Sequence, residues 1–302
     1  MNTQDYYKFC MLCPRSCHVN RYEKQGACGV TAELRVARAA LHMWEEPCVS
    51  GSHGSGTVFF TGCSLGCVFC QNHEIASGAK AVGKTITIER LAEIFLELQA
   101  RGAANINLVT PDHYAPSIVE ALDIARANGL RLPILCNCSG YMSMEVLKLF
   151  EGYVDIWLPD FKYYSNELAA RYSHAGDYFE VASQALAEMV RQQPKAVFES
   201  DLIKRGVIVR HLVLPGHAAD SKKVIQYLHE TYGSRIYISI MNQYTPMPWI
   251  HEKYPELDRK VPDHVYDALV DYAIRIGIEN GFVQEGETAA ESFIPAFDGE
   301  GV

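Results

Sequence analysis

From residue 57 onward, short apolar runs of strand length alternate with longer stretches whose apolar residues recur at helical spacing. The strands predicted by this pattern are 57–60, 105–109, 132–136, 154–158, 207–214 and 236–241. Between them, 88–100, 117–128, 144–150, 178–192 and 222–232 each carry a helical apolar stripe, and a last helix is predicted over 263–280. Boundary residues agree: Thr87 stands before the first helix, Gly102 follows it, and Gly129 ends the second. Six β/α units of this kind predict an α/β fold, a parallel sheet curved into an incomplete barrel with its chemistry at the carboxyl ends of the strands. A doubly wound sheet would show the same alternation, so periodicity alone leaves both open. The first 55 residues lack this rhythm. The chain therefore divides into a Cys-rich segment with linker over 1–55, its Gly- and Ser-rich end at 50–56 reading as a flexible junction, and a barrel over 56–302. The tail through Phe293, Ile294 and Phe297 is expected to pack across the barrel.

Composition narrows the function. A chain of 302 residues can bury a large core as one barrel-sized domain with a small appendage. Its net charge of -9 and the absence of a Lys- or Arg-rich tract argue against a nucleic-acid partner. The 17 tyrosines and 3 tryptophans do not change this, because basic residues are not interleaved with them. With neither an N-terminal apolar signal segment nor a run of 18 apolar residues, no membrane association is expected, and the predicted location is cytoplasmic. In that reducing compartment 10 cysteines point to metal binding or redox work rather than disulfides. No Gly-x-Ser-x-Gly elbow, phosphate loop or His-Glu-x-x-His helix competes for the assignment.

Two groups of cysteines carry the candidate chemistry. In Gly62-Cys63-Ser64-Leu65-Gly66-Cys67-Val68-Phe69-Cys70-Gln71-Asn72 the spacing is C-x3-C-x2-C, directly after the first predicted strand. Three thiolates can hold three irons of a [4Fe-4S] cube and leave the fourth iron for a ligand that is also a reactant. Zinc with His73 as fourth ligand is the plainer alternative, although such sites usually draw on two separated pairs. The second group, Cys10, Cys13, Cys17 and Cys28, offers four thiols within a short segment. Zinc and an auxiliary iron–sulfur cluster both need this count; zinc is favoured here because short Cys-rich appendages are usually structural. Cys48, Cys136 and Cys138 are expected to be small buried hydrophobes.

The cysteine loop with Phe69 before its last thiol resembles the signature of the radical S-adenosylmethionine (SAM) superfamily. Asn105 to Pro111, Val154 to Tyr163, Ile208 to Gly216 and Met241-Asn242-Gln243-Tyr244 extend the resemblance to its pyruvate formate-lyase-activating-enzyme-like members. The resemblance implies a partial (β/α)6 TIM-like barrel of the radical SAM type, and a [4Fe-4S] cluster on Cys63, Cys67 and Cys70 whose open iron chelates SAM. It also implies reductive cleavage of SAM to a 5'-deoxyadenosyl radical. By position, Asp160 resembles the carboxylate that holds a monovalent cation beside SAM, and Lys162 the ammonium that meets the SAM carboxylate. The plainer reading of that pair is a strand-end ion pair. Arg210, mid-strand among apolar residues, needs an anion, which a SAM carboxylate or ribose contact would supply. Asn137 and Ser139 resemble the residues that read the ribose and complete the cation site, although relatives carry an acidic residue where Asn137 stands. Relatives also carry Gly-Gly-Glu where this chain has Thr110-Pro111-Asp112-His113, which leaves Thr110 and Asp112 as candidates for the SAM amino group and His113 as a weaker one. Asn242 and Gln243 would face the adenine or the substrate, and Tyr163 and Tyr164 the substrate mouth or the barrel rim.

These readings predict an enzyme that abstracts hydrogen from a substrate, with a glycyl-radical enzyme as one candidate target. A small molecule or peptide is the rival target, and flavodoxin or ferredoxin the implied electron donor. A zinc-binding scaffold without catalysis, or a redox relay that does not cleave SAM, are the readings from other classes.

Overall fold

The computed structural model describes residues 3–76, 81–284 and 295–302. Its strands are β1 (Arg35–His42), β2 (Ser55–Phe60), β3 (Lys84–Thr85), β4 (Ile106–Val109), β5 (Ile134–Cys138), β6 (Ile156–Pro159), β7 (Val197–Glu199), β8 (Leu202–Leu212), β9 (Tyr237–Met241) and β10 (Gly281–Val283). They form one sheet in the order β10-β9-β8-β6-β5-β4-β2-β1-β3, with β7 folded back on β8. The six predicted strands are β2, β4, β5, β6, β8 and β9, and all pair in parallel, each with the next in the chain. Helices between them pack on the outside. Ile88–Ala100, for example, starts at a Thr87 hydroxyl that accepts the Arg90 amide and buries Leu91, Ile94, Phe95 and Leu98 at helical spacing.

Phe59, Val109, Asn137, Asp160, Arg210 and Ser239, carried by β2, β4, β5, β8 and β9 and by the end of β6, line a single cavity of about 390 Å3. Six flat strands at about 4.8 Å spacing would spread such residues over more than 20 Å, so the sheet is curved around them as in a partial barrel. No described residues pair β10 with β3, the two ends of the strand order.

The N-terminal region contributes more than thiols. β1 runs antiparallel to β2, and the stretch read as a flexible junction holds the end of the helix Pro47–Ser50, a turn, and the start of β2. Cys48 and Val49 of that helix pack with Leu135, Ile156 and Ile208, so they plug the amino-terminal end of the barrel. The last predicted helix stops at Arg275, and the chain turns at Gly277 toward β10. Phe293 and Ile294 lie outside the described residues. Beyond them Phe297 meets Phe59 edge-on at 5.4 Å, and Gly299 and Glu300 hydrogen-bond along β1. No helix among the described residues is long and apolar enough to cross a membrane.

Candidate active site

The loop after β2 brings Cys63, Cys67 and Cys70 to one wall of the cavity. Gly62 begins it at a φ of 98°, and a Cβ there would lie 2.9 Å from Val30 and 3.0 Å from the Cys28 carbonyl, so only glycine lets the loop approach the N-terminal segment this closely. Cys63 Sγ accepts from the Leu65 amide at 3.4 Å. Cys67 Sγ accepts from the buried Ser173 hydroxyl at 2.9 Å, and Tyr163 OH lies 2.7 Å behind that hydroxyl. Burial pushes the Cys63 thiol up to about 11, with Cys67 and Asp112 adding in the same direction. Burial also raises Cys70, reinforced by Cys67 and Cys63, and raises Cys67, where Lys162 and Ser173 oppose it. A cationic iron centre would displace these protons. Among the described residues no three Cys, His, Asp or Glu side chains are drawn together as ligands of one ion. A cube does not require that, since its thiolates bind different irons. The ring of the alternative zinc ligand His73 packs at a tilt against Trp249, with centroids 4.3 Å apart, and is not part of the cavity wall.

In the same cavity, Lys162 Nζ donates to Asp160 Oδ2 at 2.5 Å, so the strand-end ion pair and the cavity position are the same arrangement. Burial works against the Lys162 charge, but Asp160 and Cys67 hold its pKa well above the ordinary value. Thr110, Asn137, Ser139 and Gln243 also line the cavity. Thr110 sits at a φ of 55°, a left-handed position costly for a β-branched residue, and its amide bonds the Asn137 carbonyl at 2.9 Å. Cys138 joins this wall, while Cys48 and Cys136 are core residues as expected.

Three expected residues stand elsewhere. Asp112 is buried behind the loop, where it accepts from the Ser64 hydroxyl at 3.1 Å, and it does not line the cavity. His113 is a buried core residue, its Nε2 2.8 Å from the Thr61 carbonyl and its Nδ1 without a hydrogen-bond partner. Asn242 is held through its backbone by Gln284 at 2.6 Å, and Gln243 alone of that pair reaches the cavity.

Arg210 does face the interior, but its anions come from this chain. It donates through Nε to Glu46 Oε1 at 2.9 Å and through Nη2 to Glu46 Oε2 at 2.6 Å, with Glu45 on the same Nη2. The anion that Arg210 needs is thus supplied within the chain, by a buried Glu–Arg–Glu cluster that forms part of the cavity lining. Burial disfavours both charges, yet Arg210 holds the Glu46 carboxyl below its usual range and the two glutamates hold Arg210 well above its own. Sequence reasoning missed Glu45, Glu46 and Ser173. A doubled acidic residue ahead of Pro47 was the available signal for the first two; nothing local marks Ser173.

A three-thiol loop at the carboxyl end of the first parallel strand and an ammonium fixed by a carboxylate line one cavity of a curved α/β fold, an arrangement suited to holding a metal group. The chain belongs to the radical SAM superfamily, whose sequence profile matches residues 57–228. A Methanocaldococcus jannaschii protein described only as uncharacterised is 27% identical over 286 residues, covering 91% of this chain and 77% of that protein. Streptococcus suis SuiB bound to S-adenosylmethionine shares the fold, with a TM-score of 0.51 and 10% identity over 75% of this chain and 49% of SuiB. The FeFe-hydrogenase maturase HydG from Carboxydothermus hydrogenoformans does so with a TM-score of 0.51 and 13% identity over 79% of this chain and 55% of HydG. The chain thus spans about half the length of these two structural relatives. At such identity the likeness shows the fold, here the partial barrel.

Proposed function

We propose that this chain reductively cleaves SAM and uses the product to abstract a hydrogen atom from a substrate. The observation that carries the reading is that Cys63, Cys67 and Cys70 line one cavity together with Lys162. Cys63, Cys67 and Cys70 would hold a [4Fe-4S] cluster, which with SAM and one electron would supply the chemistry that yields a 5'-deoxyadenosyl radical. The residues do the rest. Lys162 offers the SAM carboxylate a charge fixed by Asp160, and Thr110, Asn137, Ser139 and Gln243 offer polar contacts to its amino and ribose groups. With Lys162 on Asp160, a positive charge already occupies the side where a monovalent cation is proposed. The Glu45–Arg210–Glu46 floor and the apolar plug beneath it close the cavity to water from below, which protects a reactive species.

The finer reading is kinship with the pyruvate formate-lyase-activating-enzyme-like members, with a backbone glycine of a partner protein as target and flavodoxin or ferredoxin as donor. A cavity of about 390 Å3 lies at the small end of ligand sites, in the range of one cofactor molecule. Anaerobically reconstituted protein given SAM and a reductant should form 5'-deoxyadenosine, and Cys63→Ala should form none. Equal yields from the two proteins, or none from either, would overturn the reading.

A further inference from the structure

Behind the catalytic loop lies a second group of thiols around an unusual cation. Cys10, Cys13 and Cys28 are buried and Cys17 is half-buried. A Cβ added at Gly26 would lie 3.3 Å from Cys28 Sγ, 3.6 Å from Cys17 Sγ and 3.5 Å from Arg21 Cδ, so two thiols and the arginine stem converge on this one glycine. Arg21 is 0% exposed. Its two terminal nitrogens donate to the carbonyls of His113 and Thr31 (the latter at 2.6 Å), its plane lies over Tyr7 and Tyr114, and its Nε has no partner. No carboxylate pairs with it at salt-bridge distance among the described residues. A guanidinium buried among apolar and aromatic groups without an anion is costly.

We infer that Cys10, Cys13, Cys17 and Cys28 bind a metal as a tetrathiolate centre, and that Arg21 is its counter-cation. Four thiolates around a divalent ion carry a net charge of about -2, and around a [4Fe-4S] cube at least as much, so either centre supplies the anion that Arg21 lacks. The thiols would close in on loading, since none of these sets is drawn to single-ion spacing among the described residues. The centre is joined to the catalytic loop. The Cys28 carbonyl accepts the Cys63 amide at 3.2 Å, and Arg15, between Cys13 and Cys17, donates to the carbonyls of Ser64 at 2.8 Å, Leu65 at 3.3 Å and Ser173 at 3.2 Å. Loading at the N-terminal site therefore splints the loop that presents Cys63 and Cys67. Only this coupling rests on the proposed function; the metal site stands without it.

The test uses the full chain with Cys63, Cys67 and Cys70 all changed to Ala, which removes the catalytic ligands. Metal analysis after anaerobic reconstitution with iron and sulfide, and separately with zinc, should give about four irons or about one zinc per chain, and the metal retained on expression tells which is native. Against a chelator, Arg21→Met should hold that metal about 10- to 100-fold less tightly and Arg21→Lys close to wild type. Hydrogen exchange at the backbone amide of position 63, which the substitution to Ala leaves in place, should slow on loading. Absence of bound metal in the triple variant overturns the site, equal retention in Arg21→Met overturns the counter-cation, and unchanged exchange overturns the splint. Formation of 5'-deoxyadenosine by the unaltered chain is read separately, so failure of either account is distinguishable.

Discussion

Ser173 shows how one hydroxyl can set the chemistry of a cluster ligand. It is fully buried, within hydrogen-bond distance of Cys67 Sγ, and held from behind by Tyr163 OH. Hydrogen bonds to ligand sulfur disperse negative charge and favour the reduced cluster. Ser173→Ala is therefore expected to shift the midpoint potential of the reconstituted cluster to a more negative value in a redox titration, with iron content unchanged. Tyr163→Phe should shift it less in the same direction. The residues legible in sequence were those whose chemistry is packed into a few consecutive positions: the three thiols, and Asp160 with Lys162. Ser173 was illegible because it lies 106 residues from Cys67, and the partners of Arg210 lie 164 and 165 residues away. Asp112 was misplaced for a related reason. Its position in the chain matched a family motif, but the three residues from Asp112 to Tyr114 form a 3-10 turn that buries the carboxylate against Ser64.

At the scale of elements, the parallel strands were readable because each is a short apolar run set between helical stripes. β1 was not. It lies between β2 and β3 and is buried at Val36, Ala37, Ala39 and Ala40, so its burial does not alternate along the strand and the sequence lacks the period-2 pattern that marks a half-exposed strand. The helix Pro47–Ser50 is too short for periodicity, yet it carries the barrel plug behind the Glu45 and Glu46 that hold Arg210. Arg210→Met would leave two buried carboxylates uncompensated and should cost about 3–5 kcal/mol near neutral pH, read as a lower urea midpoint. Glu46 has a folded pKa below its unfolded value, so the pair's contribution is complete above the ordinary value of 4.5 and fades as pH falls through the lowered folded one. The gap between wild type and Arg210→Met should accordingly narrow on acidification below that value. Unchanged urea stability with weakened SAM binding would instead place Arg210 on SAM.

Over the whole molecule, one cavity is enclosed by parts drawn from the full length of the chain. The N-terminal segment braces the thiol loop and closes the floor, the parallel strands supply the polar wall, and Pro295 reaches the rim beside a tail fixed to β1 through Arg38, which pairs with Asp298 and Glu300. The radical SAM character was visible in sequence because its ligands are local. The packing of the tail was expected as well, but the bracing of the thiol loop and the Glu45–Arg210–Glu46 cluster were not, because they depend on contacts between the N-terminal segment and the sheet. The central claim is that SAM binds between the thiol loop and Lys162. The most direct measurement is the EPR spectrum of the reduced, iron-loaded protein as SAM is added. The account predicts a SAM-dependent change of the cluster signal in the wild type that needs at least about tenfold more SAM in Lys162→Met. A wild-type cluster signal that SAM leaves unaltered, or a Lys162→Met titration identical to wild type, would contradict it.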